Sequence, residues 1–340
     1  MLRRSIIAVV VVIITLVGLD AFTCVAVQED KIKIAVTIDI LKPIVSSIVG
    51  EIGEVYSIVP EEAEPHSFTL TPKVIKEALN SDLIVITGHM EWEEKLVERV
   101  AEARNIQPEF ISINLLNLSG IKILEIEGER NIHGFWLLPD NAVIIARAIK
   151  DKILALKPEY SEEISYNYAL FEKEVSNLKN FLNRLSSKHG LLGKKVVIGF
   201  YAEQYIAEAM GLKAEIALIG EGEIIHPASL SKIYNGFKSG EYACIIVSDT
   251  ALLMGNIRDA LKEISEETGC SIAYVLTVST SGLERYDAIM YYNAGQVYNA
   301  LLSEHKANSG GVNIYLLTTI TALLIIILET IILVRGRVKS

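Results

Sequence analysis

Four of the six histidines in this 340-residue chain fall where a predicted β-strand hands over to a helix. His66 lies in Glu64-Pro65-His66-Ser67-Phe68 and His133 in Asn131-Ile132-His133-Gly134-Phe135-Trp136. His89 follows Thr87-Gly88, and His226 sits in Ile225-His226-Pro227. Neutral imidazole is a common ligand for borderline metal ions, so the set points to a captured ion. Loops carry exposed polar residues in any protein, and His189 and His305 read as ordinary surface positions. Catalysis finds little support: the chain has no Gly-x-Ser-x-Gly elbow, phosphate loop, His-Glu-x-x-His helix or Cys-His nucleophile arrangement.

The elements that must position these residues alternate between strand and helix in two rounds. Apolar or β-branched runs at 33–37, 55–59, 83–87 and 110–113 are separated by helical patterns at 40–49, 72–79 and 93–103. That alternation marks βαβ units and a parallel sheet. Thr71 reads as the N-cap of the second helix, with Pro72 at its first position, where the missing N–H costs nothing. The second round places strands at 195–199, 214–219, 242–247 and 271–277, and helices at 202–210, 229–238, 251–268 and 285–303. Between the rounds, Ile164, Tyr168, Phe171, Val175, Leu178, Leu182 and Leu185 recur at three- and four-residue spacing without Pro or Gly. The spacing predicts one long amphipathic helix. The fold class expected is therefore α/β: two lobes, each a parallel sheet flanked by helices, joined by a rigid helix that limits domain closure. Open parallel sheets bind ligands beyond the carboxyl ends of their strands, which is where the four histidines fall.

Both ends of the chain are apolar. Met1-Leu2-Arg3-Arg4 precedes an apolar run over 6–19, which reads as a signal peptide. Cleavage is expected near Ala26, and Ala21-Phe22-Thr23-Cys24 makes a poor lipidation box because Phe22 and Thr23 are bulky. Residues 315–334 carry one charge, Glu329, and are followed by Arg335, Arg337 and Lys339. About 20 apolar residues suffice to cross a bilayer, and the basic flank predicts a cytoplasmic C-terminus and an extracellular body. The expected organisation is a signal peptide over 1–26, an N-terminal lobe over 31–158, the linking helix over 159–189 and a C-terminal lobe over 190–304. A tether over 305–313, a C-terminal transmembrane helix over 314–334 and a cytoplasmic tail over 335–340 follow. The net charge is −10, and both apolar ends are net basic, so the body between them is more acidic still. Such a body disfavours nucleic acid and attracts cations. Cys244 and Cys270 sit on consecutive predicted strands and could pair or stay as buried thiols.

With these residues in place the chain resembles the metal-binding receptors of zinc and manganese ABC importers, the cluster A-I substrate-binding proteins, over about 31–304. The resemblance rests on Ile34-Ala35-Val36-Thr37, on Glu64-Pro65-His66-Ser67 followed by Thr71-Pro72, and on Ser81-Asp82-Leu83-Ile84-Val85. His133 with Trp136, Pro139 and Asn141 continues it, then Tyr166 and Asn167, and finally Tyr286, Met290 and Asn293. It implies a monomeric receptor, not an enzyme, that holds a divalent ion between its lobes and delivers it to a membrane permease.

The family takes two histidines from its first lobe, and His66 and His133 match them. Its second-lobe slots depart. Phe200 occupies the third, and Val278 or Ser279 occupies the fourth, where the family has a carboxylate. Four ligands close a structural zinc site, so Asp249, His226, Glu203 and His89 are the candidates to complete this one. Asp249 could instead cap a helix, and Glu203 could be a solvated helix face. Imidazole favours zinc, then manganese. The alternative is a receptor for a non-metal or chelated ligand, or a surface adaptor that kept the scaffold.

Overall fold

The computed structural model describes residues 31–303, apart from 62, 221–223, 226 and 255–256. In the first lobe the strands are β1 (Ile32–Val36), β2 (Gly53–Ser57), β3 (Leu83–Ile86) and β4 (Ser112–Asn114), ordered β2-β1-β3-β4. All three pairings are parallel, and β3 is buried along its whole length. A sheet covered by helices on both faces needs continuous apolar strands of this kind. The covering helices are α1 (Lys42–Val49), α2 (Pro72–Ala78), α3 (Glu91–Arg104), the single turn α4 (Pro108–Ile111) and α5 (Pro139–Leu156). The Thr71 hydroxyl accepts the Val74 N–H and Pro72 opens α2, as the sequence predicts.

The linking helix α6 (Ser161–Lys188) is unbroken over 28 residues, about 42 Å at helical rise. It buries Ile164, Phe171, Val175, Leu178 and Leu182. The second lobe holds β7 (Lys195–Ile198), β8 (Lys213–Ala217), β9 (Tyr242–Ser248) and β10 (Ile272–Val275) in parallel order β10-β9-β7-β8. Its helices are α7 (Glu203–Ala209), α8 (Pro227–Ser239), α9 (Ile257–Thr268) and α10 (Tyr286–Leu302).

Several expectations are corrected. No helix among the described residues is long and apolar enough to cross a membrane. The described fold thus carries no transmembrane helix, and the segment expected to supply one, 314–334, lies outside the described residues, as does the signal peptide. The longest of the described helices, α6, is amphipathic and packs on the lobes. The strand expected at 110–113 starts at Ser112, because Pro108 at a helical first position winds the preceding residues into a turn. An antiparallel hairpin of β5 (Leu124–Ile126) and β6 (Glu129–Asn131) went unforeseen. Glu127 and Gly128 both take positive φ at its tip, a turn that usually announces itself as Asn-Gly or Asp-Gly. The helix expected from 251 begins only at Ile257. Cys244 and Cys270 are both free and buried, and burial pushes the Cys244 thiol up to about 12.

The lobes are stitched together along the cleft. The Trp136 indole N–H donates to the Thr277 carbonyl at 3.3 Å, and the Tyr286 hydroxyl donates to the Leu137 carbonyl at 2.9 Å. The Tyr205 hydroxyl donates to the Asn131 carbonyl, and the Asn131 amide donates to the Tyr201 carbonyl. At the rim, Asp39 accepts the Thr280 hydroxyl at 2.7 Å and Glu61 accepts the Ser281 N–H at 2.8 Å. Gly134 sits where the walls meet: at its φ of +83° a Cβ would lie 2.8 Å from the Ala202 Cα. Only glycine permits that approach.

Candidate metal centre

Three first-lobe loops converge on one point. His66 is held by the loop after β2, where the Trp92 indole N–H donates to the Pro65 carbonyl at 2.8 Å and Phe68 packs on the Trp92 ring. His89 follows β3 and Gly88, whose φ of +91° and contact with the Asn114 side chain exclude any Cβ. His133 follows the hairpin, its N–H donating to the Asn131 side chain. The ring centroids lie 5.4 Å apart for His66 and His89, 5.3 Å for His66 and His133, and 5.1 Å for His89 and His133. One ligand atom from each lies within 4.8 Å of the others. A small inward shift brings three such nitrogens to the ~2.0–2.1 Å of a zinc–imidazole bond.

Outer partners pre-set two of the rings. The His66 Nδ1 lies 2.7 Å from the Glu64 carboxylate, which also accepts the backbone N–H of His66 and of Ser67. Burial acts to raise the Glu64 carboxyl, but these three hydrogen bonds outweigh it and hold it down to about 2. An ionised carboxylate only accepts, so Nδ1 carries the proton and Nε2 keeps its lone pair. The Thr87 hydroxyl donates to Glu93 and sits 2.8 Å from the His89 Nδ1, which places the His89 proton on that nitrogen too. Glu93 is fully buried and also accepts the Thr37 hydroxyl and the backbone N–H groups of Thr87, Gly88 and Met90. A hydrogen bond to the far ring nitrogen is the usual support of a metal-ligating histidine. Burial first, then neighbouring His66, pushes His133 down to about 4. Burial, then His133 and His66, pushes His89 well below its ordinary value. Both rings are therefore neutral donors at neutral pH.

The second lobe meets this triad with carbon. The Phe200 ring stands 5.2 Å from His133 and 6.4 Å from His66, and stacks on Tyr201. Ile38, Pro65, Met90, Gly134, Trp136, Ala202, Thr250 and Val278 complete the lining, leaving a cavity of about 20 Å³.

The two second-lobe carboxylates of interest are committed elsewhere. Glu203 accepts the N–H of Phe200 at 3.1 Å and of Ser248 at 2.6 Å beneath the strand ends. Burial raises its carboxyl to about 8 against those bonds. Asp249 accepts the N–H groups of Thr250, Thr277, Val278 and Ser279 and the Thr277 hydroxyl. It organises the loop after β10 and does not reach the triad. His226 lies outside the described residues. Asp249→Ala leaves up to five donors without their acceptor, so a loss on the order of 3 kcal/mol is expected in urea denaturation. Zinc affinity of the folded fraction should hold; an Asp249→Ala chain that keeps its stability but loses the ion would overturn the assignment.

His89 is the residue whose role the sequence left weakest. Its signal was Thr87 two residues before and Glu93 four residues after, a hydroxyl and a carboxylate spaced to support an imidazole at a strand end.

Two lobes of parallel sheet, a rigid connecting helix and a cleft lined with imidazole define a metal-receptor class of binding protein. The family model described as "Zinc-uptake complex component A periplasmic" matches residues 34–300, and the chain belongs to that family. It is a substrate-binding protein of a metal ABC transporter, which works with a permease, and not an enzyme. A metal ABC transporter substrate-binding lipoprotein of Lactococcus lactis is 24% identical over 306 residues, 85% of this chain and 94% of that one. The manganese ABC transporter substrate-binding lipoprotein PsaA of Streptococcus pneumoniae is 25% identical over 196 residues, 54% of this chain and 61% of that one. Among solved structures, a zinc-bound ZnuA deletion mutant superposes with a TM-score of 0.66 at 20% identity, covering 80% of this chain and 98% of its own.

Proposed function

We propose that the protein is an extracytoplasmic receptor for zinc, held by His66, His89 and His133, and that it hands the ion to its permease. The observation that carries this reading is the convergence of three imidazoles within 4.8 Å in the cleft between the lobes. The cavity of about 20 Å³ has room for a water-sized occupant, whereas organic ligands need pockets of roughly 300–1,000 Å³. An ion therefore fits where an organic or chelated ligand does not.

Zinc over manganese follows from the donors. Neutral nitrogen suits zinc, copper and nickel, while manganese prefers carboxylate and water oxygen, and affinity for a given site rises from manganese toward copper and falls back at zinc. The apolar leader at 6–19 and the family's periplasmic description support a place outside the cytoplasm. The test is competition. Full chain incubated with equimolar zinc and manganese and passed through a desalting column is expected to carry about one zinc and little manganese by elemental analysis. Equal or greater retention of manganese would exclude an all-imidazole site.

A further inference from the structure

We propose that Asn117 is the acceptor of an N-linked glycan, and that the attached sugars cover the open edge of the first-lobe sheet. The proposal rests on the extracytoplasmic reading above, since N-linked glycans belong to the surface loops of exported chains. Asn117-Leu118-Ser119 is the one Asn-x-Ser/Thr triplet in the chain. The hydroxyl two residues on is what the transfer requires, and the residue between is not the proline that forbids it. Triplets of this kind also arise by chance, so the surroundings decide.

Those surroundings leave both side chains free to react. Asn117 closes the 3₁₀ turn Leu115–Asn117 that follows β4, and Leu118 after it is extended, at φ −69° and ψ 133°. Buried Leu115 anchors the turn, and the Leu116 N–H donates to the Thr87 carbonyl at 3.1 Å. Asn117 and Ser119 both stand exposed on this fixed base. Neither the Asn117 amide nor the Ser119 hydroxyl hydrogen-bonds to a described residue. Neighbouring asparagines differ: Asn114 accepts the Leu116 N–H, Asn131 donates to the Tyr201 carbonyl and Asn141 to the Phe135 carbonyl.

The same turn borders an edge that needs a cover. β4 ends the order β2-β1-β3-β4, so one of its sides has no strand partner. Along it runs a cavity of about 710 Å³ that includes Ile113 and Asn117 in its lining, with Glu94 and Glu98 of α3 and Asp151 of α5 around it. Turn α4 leaves Phe110 65% exposed nearby in the chain. An open strand edge is a template for pairing with another chain, and proteins blunt or cover it. A glycan is bulky and solubilising, its hydroxyls donate to carboxylates that only accept, and the volume lies in the roughly 300–1,000 Å³ range that holds small organic groups.

The donor is an oligosaccharide linked to a polyisoprenyl phosphate. A bond forms between the Asn117 Nδ2 and the anomeric carbon of the first sugar as the carbon–oxygen bond to the phosphate breaks. The lipid phosphate leaves with the bonding electrons, and the amide gives up one proton to a base of the transferase.

The experiment takes the full chain from its native cells and digests it with trypsin, which cuts after Arg104 and Lys122 and releases 105–122 as one peptide. Its mass is expected to exceed that of the bare sequence by one oligosaccharide, placed on Asn117 by fragmentation. Ser119→Ala made in the same cells should return the bare mass with zinc affinity unchanged, and its amide exchange at 112–114 should run several-fold faster than in the wild type. A bare wild-type peptide, from a chain that added protease reaches in permeabilised envelopes with the cytoplasmic membrane intact, would overturn the glycan and leave the extracytoplasmic reading standing. A bare peptide from a chain shielded by that membrane would overturn both. A modified Asn117 with equal exchange in the two forms would overturn the covering of the edge.

Discussion

Replacing His89 with alanine is expected to weaken zinc binding by more than ~100-fold, since even an outer partner of a metal ligand is worth ~10–100-fold. His66→Ala and His133→Ala should cost as much, because the three rings are mutual neighbours at 5.1–5.4 Å and, among the described residues, no second-lobe side chain joins their cluster. His189→Ala on the exposed end of the linking helix is the control and should leave affinity unchanged. Isothermal titration of the metal-free full chain reads all four. A His89→Ala chain that binds zinc like wild type, while His66→Ala does not, would return the site to two histidines and remove the basis of the three-imidazole centre. Thr87→Val probes the same geometry from outside. It cuts the link between His89 and Glu93, so a smaller loss, within the ~10–100-fold range, is expected.

Metal-free protein is expected to lose stability steeply as pH falls from about 6.5 to 4, the range set by the two depressed histidines. In the unfolded chain an imidazole titrates near 6.5, whereas burial brings His133 in the fold down to about 4 and pushes His89 well below its ordinary value. Across that interval the unfolded state takes up protons that the folded state refuses. Stability is therefore complete above 6.5 and drains as pH drops. For His133 alone the shift corresponds to a loss on the order of 3 kcal/mol. Glu64 acts further down: its depressed carboxyl contributes stability that is present above about 4.5 and lost as pH falls toward 2. Urea denaturation at pH 7.5 and pH 4.5 measures the effect, and His133→Phe, which keeps a ring without the titration, should show a smaller difference between the two. An identical pH dependence in that variant would show that burial of this imidazole is not what opposes its protonation. The same physics favours metal retention in mild acid, because protons compete poorly for rings already reluctant to take them.

How legible was this protein from its residues alone? The strand–helix alternation, the apolar stripe of the 28-residue helix and the Thr71-Pro72 helix start are local patterns. Backbone geometry converts them directly into structure, and they stand as read. The hairpin at 124–131 escaped because its turn uses Glu127 where Asn or Asp is the usual signal. The membrane-crossing helix expected at the C-terminus was read from an apolar stretch with a basic flank; that segment lies outside the described residues, and none of the described helices has that character.

The candidate site divides in the same way. That His66, His89 and His133 each lie at the carboxyl end of a strand-bearing unit follows from the order of elements, and parallel sheets bring such ends together. Which donors lie opposite does not follow. Glu203 and Asp249 occupy strand-end positions that look the same whether a carboxylate ligates an ion or satisfies backbone N–H groups. Only the tertiary approach of β7, β9 and the loop after β10 decided for the second. Buried N–H groups need acceptors, and once two strands and a loop converge there, those two carboxylates answer that need. Phe200 is then what the second lobe presents to the triad.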